Sequence, residues 1–249
     1  MLRAGNTLKG YAIAAQDGTI GTVSDFLFDD QSWKLRWLVV DTGNWLSGRK
    51  VLLHPSAIMA VNAEDNTLTL RLTKARIQSS PGLSWDQPVS RQMEASLYTH
   101  YGWDPYWGGG YMGQGFGAIP RDLIEVRAQD GIDLSTDLAD PHLRSIAAVT
   151  GYRLRATDGG IGHIQDFLIE DRYWRIGYLL ADTSNWWFGQ HVMLSPYAVR
   201  EINWGDQEVL LDVTREKVKA SPPWSAEDEL DEPYEQRLHQ HYGWPGYGW

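Results

Sequence analysis

The stretch Trp37-Leu38-Val39-Val40-Asp41-Thr42-Gly43-Asn44-Trp45 returns 141 positions later (182 − 41) as Tyr178-Leu179-Leu180-Ala181-Asp182-Thr183-Ser184-Asn185-Trp186. An apolar strand ends in Asp-Thr, turns, and presents Asn-Trp, and the chain does this twice. The same shift aligns Leu2-Arg3 with Leu143-Arg144 and runs without a gap to Trp103 on Trp244. Roughly a third of the aligned positions are identical, and the period is too long for a solenoid of short stacked units. The reading is a tandem duplication of one domain of about a hundred residues.

Each copy opens with a short apolar strand, Gly10-Tyr11-Ala12-Ile13 or Gly151-Tyr152-Arg153-Leu154. Asp17-Gly18 and Asp158-Gly159 follow. Asp-Gly between apolar runs signals a tight hairpin, because glycine accepts positive φ. The next strand, Ile20 to Phe28, contains Gly21 and then Asp25-Phe26-Leu27, repeated as Gly162 and Asp166-Phe167-Leu168; a glycine inside a strand marks a bulge or bend. After the acidic turn Asp29-Asp30, a strand from Trp33 to Val40 alternates Trp33, Leu35, Trp37 and Val39 with Lys34 and Arg36, then becomes apolar on both faces. Val51 to Leu53, Ile58 to Val61 and Thr67 to Leu72 complete the set, broken by Pro55 and by Glu64-Asp65-Asn66. So many short strands in so few residues predict a small antiparallel barrel, whose closure removes exposed edges.

The tail of each copy turns helical. Val89, Met93, Leu97 and Tyr101 recur at intervals of four, as do Leu230, Tyr234, Leu238 and Tyr242, giving one apolar stripe per helix for packing on its own barrel. The acidic run from Glu227 to Glu232 leads into the second helix, where it opposes the helix dipole. The expected organisation is therefore a first domain over residues 1–104, a linker over 105–141 and a second domain over 142–249. The linker is glycine-aromatic from Trp107 to Gly117 and acidic from Asp122 to Asp140.

The residues then match a known pattern. Gly-Tyr, Asp-Gly-x-Ile-Gly, Asp-Phe-Leu, aromatic-Leu-x-x-Asp-Thr and Val-x-Leu-x-Pro together resemble the PRC-barrel. That family includes the cytoplasmic domain of the photosynthetic reaction-centre H subunit and the C-terminal domain of the ribosome-maturation factor RimM. The Asp-Thr-x-Asn-Trp turn and the His-Tyr-Gly-Trp tail are most similar to bacterial proteins carrying two such barrels in tandem. The resemblance implies a mainly β fold of two tandem small antiparallel PRC-like β-barrels, each followed by a short helix. It also implies an adaptor role and supplies no catalytic residue.

Composition narrows the function. The chain has no cysteine, which excludes disulfides, thiolate metal sites and cysteine nucleophiles. Of the net charge of −10, residues 1–105 contribute nothing, and 106–249 carry 12 basic against 22 acidic side chains. Such a chain offers no electrostatic footprint for nucleic acid. Met1 to Thr7 lacks the apolar run of a signal peptide, and no window reaches the ~18 apolar residues of a membrane span. A cytoplasmic location is expected, which leaves room for peripheral membrane association and for a homo-oligomer.

Three chemistries can be weighed. Asp41-Thr42-Gly43 and Asp182-Thr183-Ser184 look like the paired triplets of a bilobal aspartic hydrolase, which needs two carboxylates sharing a proton. Against that, Asn44 and Asn185 lead into tryptophan where a small residue is expected. No zinc-type spacing of histidines exists, and His239 and His241 fall on different helix faces. No phosphate-binding glycine loop precedes a helix. The expectation is a protein without catalytic residues, cofactor or metal, acting on a protein partner, with modulation of a membrane electron-transfer complex as the alternative. The candidate anchors are Trp45, Trp186, Trp187 and Phe188 at loop tips, with Trp103 and Trp244 in the tails. Exposed tryptophan concentrates binding energy, and Trp187-Phe188 against Leu46-Ser47 favours the second copy.

Overall fold

A computed structural model describes residues 1–81, 89–103, 105, 140–184, 191–222, 224 and 232–245. The first copy contributes β1 (Leu2–Ala4), α1 (Gly5–Leu8), β2 (Ala12–Ala15), β3 (Gly18–Asp29), β4 (Leu35–Asp41), β5 (Lys50–Leu53), β6 (Ile58–Asn62), β7 (Thr67–Leu70), α2 (Lys74–Gln78) and α3 (Arg91–Tyr101). The second contributes β8 (Leu143–Ser145), α4 (Ile146–Val149), β9 (Arg153–Ala156), β10 (Gly159–Glu170), β11 (Arg175–Asp182), β12 (His191–Leu194), β13 (Val199–Asn203), β14 (Glu208–Leu211), α5 (Arg215–Lys219) and α6 (Glu232–Tyr242). The molecule is mainly β: two seven-stranded sheets in tandem, each followed by short helices.

Two features of the sheets depart from the expected antiparallel barrels. Both are mixed, because β2 pairs parallel with β7 and β9 parallel with β14. Neither closes: the first runs β5-β4-β3-β2-β7-β6, and its terminal strands do not pair with each other. Curvature comes instead from β-bulges, at Ser24 in β3 and at Arg36 in β4, since an extra residue bends a strand and increases its twist.

The seventh strand of each sheet comes from the other copy. β8 pairs with β3 in the register Leu27 to Ser145, Phe28 to Arg144 and Asp29 to Leu143. β1 pairs with β10 in the equivalent register, Leu168 to Ala4 through Glu170 to Leu2. The boundary at 142 is thus a boundary of the repeat, and the strand after it completes the first sheet.

Matching side chains lock this exchange. Asp25 accepts hydrogen bonds from the Ser145 hydroxyl and from Ala147 N at 3.1 Å, so it caps α4 of the other copy. Asp166 does the same for Asn6 N at 3.1 and 3.2 Å. Asp30 pairs with Arg144 at 3.0 Å, and Asp171 with Arg3 at 2.7 Å. Burial alone would raise Asp171, but the hydrogen bonds from the Met1 amino group and Arg3 outweigh it and hold the carboxyl below its ordinary value. The β3–β4 and β10–β11 turns also meet: Leu35 N donates to Trp174 O and Ile176 N to Trp33 O, both at 2.8 Å. Phe28 and Phe167 touch at this junction, with ring centroids 5.9 Å apart.

The core follows the expected apolar positions. Phe26, Phe28, Trp37, Leu38 and Val40 are fully buried, as are Phe167, Leu179 and Ala181. The helix stripe packs on its own sheet, with Leu97 and Tyr101 buried and the Glu94 carboxylate accepting the Trp37 indole N–H at 2.5 Å. Leu230 and the acidic stretch Glu227 to Asp231 lie outside the described residues, as do the linker residues 106–139.

Candidate functional site

The two copies share a backbone and diverge at one place. In β4 Arg36 is itself the extra residue of a bulge, standing between Leu35 and Trp37, which pair with Phe28 and Leu27. The bulge turns its side chain inward, and only 3% of the residue is exposed. The guanidinium meets Glu94, Asp140 at 2.8 Å and Asp29 at 3.4 Å. Burial pushes the Glu94 carboxyl above the usual range, against the pull of Arg36 and the Trp37 hydrogen bond. Asp140 also accepts His142 N at 2.9 Å, so the cluster ties the residue just before β8 into the first copy.

Around this cluster lies an aromatic layer. The His54 ring stands 5.9 Å from Trp37, 5.7 Å from Tyr98 and 5.5 Å from Trp103. Its Nδ1 accepts Ser56 N at 3.2 Å and lies 2.8 Å from the Ser56 hydroxyl, an arrangement that needs Nδ1 without a proton. Burial, and then the positive charge of Arg36, lower His54 to about 4. In the unfolded chain it binds a proton near 6.5, so the unfolded state takes up more protons between pH 6.5 and 4. Stability therefore rises with pH across that window and is lost as pH falls through it. Between pH 7.5 and 5 the loss from this half-buried group is about 1–2 kcal/mol. His54→Asn keeps a capping acceptor and removes the titration. Denaturant melts should therefore show a flatter pH dependence in the variant, and identical slopes would refute the assignment.

The second copy keeps Glu235 for Glu94 and Trp244 for Trp103 and replaces four other members of the arrangement. Arg36 becomes Gly177, Trp37 becomes Tyr178, His54 becomes Ser195 and Tyr98 becomes His239. All four of these changes remove volume, and a cavity of about 470 Å³ lies beside Gly177. The Tyr178 hydroxyl lies 2.8 Å from His239 Nε2, and His239 Nδ1 lies 2.6 Å from the Pro245 carbonyl. A carbonyl only accepts, so Nδ1 carries the proton and Nε2 accepts from the tyrosine. On the neighbouring surface Tyr173 and Tyr197 are exposed by 57% and 38%. Their first-copy counterparts are Ser32 and Ser56. Arg172 and Arg175 stand over the Tyr173 ring, 5.2 and 5.7 Å from its centroid.

The residues expected from sequence fall elsewhere. Trp45 is half-buried against the core, with the Lys74 ammonium 5.0 Å above its ring. Trp103 stacks on Tyr101 at 4.2 Å and Trp244 on Tyr242 at 4.1 Å, each part of its own copy's aromatic layer. Trp186, Trp187 and Phe188 lie outside the described residues.

The Asp-Thr pair is built as a turn. Asp41 Oδ1 accepts Gly43 N at 2.9 Å and Asp182 Oδ1 accepts Ser184 N at 2.8 Å. The hydrogen bonds from Ser184 hold Asp182 below its ordinary value. Thr42 is buried and donates its hydroxyl to the Arg49 carbonyl. Leu35 and Ile176 begin their strands near the junction, and each aspartate stands six residues further along, about 20 Å away at ~3.3 Å per residue. The two carboxylates are not brought together. Asp29, in the acidic turn, is buried against Arg36, and Asp30 and Asp171 are paired across the junction.

Sequence reasoning missed Arg36, Glu94 and Asp140, and the Gly177 cavity. The signal was present as a mismatch between the copies: a charged residue aligned with glycine in an otherwise matching strand. Among the described residues, no group of three His, Asp or Glu could hold a metal ion, and no helix is long and apolar enough to cross a membrane. The chain matches no curated protein. Residues 2–77 match the family model of the PRC-barrel domain, and the second copy repeats its strand order: a PRC-barrel domain is present, followed by a second similar sheet.

Proposed function

We propose that the protein is a non-enzymatic adaptor that binds a protein partner through the outer face of its second copy. The observation that supports this reading is the replacement of Ser32 and Ser56 by the exposed Tyr173 and Tyr197, with Arg172 and Arg175 beside them. Tyrosine and arginine concentrate binding energy at protein interfaces. The first copy keeps the fold without these side chains, so stability does not demand them.

The test exchanges the faces. Tyr173→Ser with Tyr197→Ser installs the first copy's residues and should leave the melting temperature within a few degrees of wild type. In a pull-down from the native host, the tagged double variant is expected to lose at least tenfold of the captured partner, while Met59→Ser in the first copy loses none. Equal recovery on wild type and the double variant would refute this face as the binding surface.

A further inference from the structure

The cavity beside Gly177 is bordered by positions at which the second copy carries smaller side chains than the first. Where Arg36, Trp37 and His54 pack together, Gly177, Tyr178 and Ser195 line a space of about 470 Å³. The space opens to solvent on the side of Tyr197, which is 38% exposed. It falls within the range of small-molecule sites, which pair an apolar lining with a few convergent polar groups.

The lining has that character and a definite sign. Trp33, Tyr178 and Tyr197 supply aromatic surface, and Ile176 and Val199 supply aliphatic surface. Ser195, Tyr178 and His239 bring hydroxyl and imidazole groups to the wall. Among the described lining residues no aspartate or glutamate occurs, and Arg175 is the one with a fixed charge. Arg175 Nε is held by Glu170 at 2.6 Å. Glu170 does not line the cavity, and Arg175 does. Trp33 belongs to the first copy, its ring stacked 5.6 Å from Phe28, so the site is completed at the junction between copies.

We propose that this cavity binds a small carboxylic acid with a flat apolar body, its carboxylate directed to Arg175 and its body against Trp33, Tyr178 and Tyr197. An arginine fork recognises a carboxylate by paired hydrogen bonds. This assignment shares Arg175 and Tyr197 with the protein-binding face but differs from it in occupant, and a titration of the purified chain reads it without any protein partner, so the two can fail separately.

Isothermal titration of the full chain with 2-naphthoate and with 2-naphthalenemethanol separates the head group from the body. The acid is expected to bind at least tenfold more tightly than the alcohol. Arg175→Gln should bring the acid down to the alcohol's affinity and leave the alcohol unchanged. Ser195→His at pH 8, which installs the first copy's larger side chain in the cavity wall, should weaken both ligands at least tenfold. Equal binding of acid and alcohol, no saturation of either by 5 mM, or undiminished binding to the filled variant would overturn the proposal.

Discussion

Replacing Arg36 by methionine is expected to destabilise the protein by about 3–5 kcal/mol, the usual cost of leaving buried charge uncompensated. At the 2–4 °C per kcal/mol typical of a chain this size, Tm falls on the order of 10 °C. The reason is not a lost contact alone. Glu94 is fully buried and Asp140 is 4% exposed, and without the guanidinium both must either stay charged in a poor environment or bind protons. That choice gives the prediction its signature. Burial already raises Glu94, and losing Arg36 raises it further. A carboxyl whose folded pKa exceeds its unfolded one contributes stability as pH falls below the folded value. The deficit of Arg36→Met should therefore narrow between pH 7 and about 5. Adding Glu94→Gln should recover part of the loss, because the most buried charge is then gone. Strict additivity of the two changes, or a deficit independent of pH, would show that Arg36 acts through packing alone.

Gly21→Ala is expected to cost about 3 kcal/mol or more, since backbone strain and overpacking each contribute about 1–3 kcal/mol. Gly21 sits at φ 151°, and a Cβ there would stand 1.9 Å from the Asp41 carbonyl oxygen. Gly162 is in the same position against Asp182, at 1.8 Å. The neighbour is backbone, so it cannot swing aside. To make room, β3 must part from the Asp-Thr end of β4. Gly10 is the internal control: its φ is +84°, but a Cβ would meet nothing within 4 Å. Gly10→Ala should therefore cost only the conformational strain, about 1 kcal/mol. Chemical denaturation of the two variants side by side measures the difference, and equal losses would mean that the close approach to Asp41 contributes nothing.

Much of this architecture was legible because it is local. The 141-residue offset, the Asp-Gly turns, the glycine inside the second strand and the four-residue helix stripes are patterns that near neighbours enforce. Gly21 was read as a bulge or bend, and a backbone carbonyl pressed against it is the cause. Arg36 was misread for an equally physical reason. Strict alternation places it outward with Lys34, and one bulge opposite Leu27 and Phe28 reverses that. The bulge falls at Arg36 itself, and only the second copy marks the position with a glycine, Gly177. The parallel pairing of β2 with β7 is hidden as well, since strand order is decided by connections rather than by residue pattern.

The exchange of β1 and β8 was the least legible feature. A three-residue strand has no periodicity to detect, and the repeat alignment is unchanged whether Leu2–Ala4 stays in its own sheet or crosses to the other. The decisive residues look unremarkable in sequence: Asp30 and Arg144, Asp171 and Arg3, Asp25 and Ser145. Only their equal spacing in both copies hints that they answer one another. The tryptophans, by contrast, drew attention by their expected places at loop tips and in the tails. Trp103 and Trp244 are engaged in stacking within their own copies.

The exchanged strand also bears on how the chain is made. The edge of β3 at Leu27–Asp29 is covered by Leu143–Ser145, which leaves the ribosome 114 residues after Asp29 (143 − 29). At 5–20 residues per second that interval is on the order of 10 s. During it the nascent first sheet presents an open strand edge, the kind of surface that recruits wrong partners. Slow translation across the intervening segment lengthens this exposure, and a chaperone that shields strand edges would act on this protein chiefly before its second copy has been synthesised.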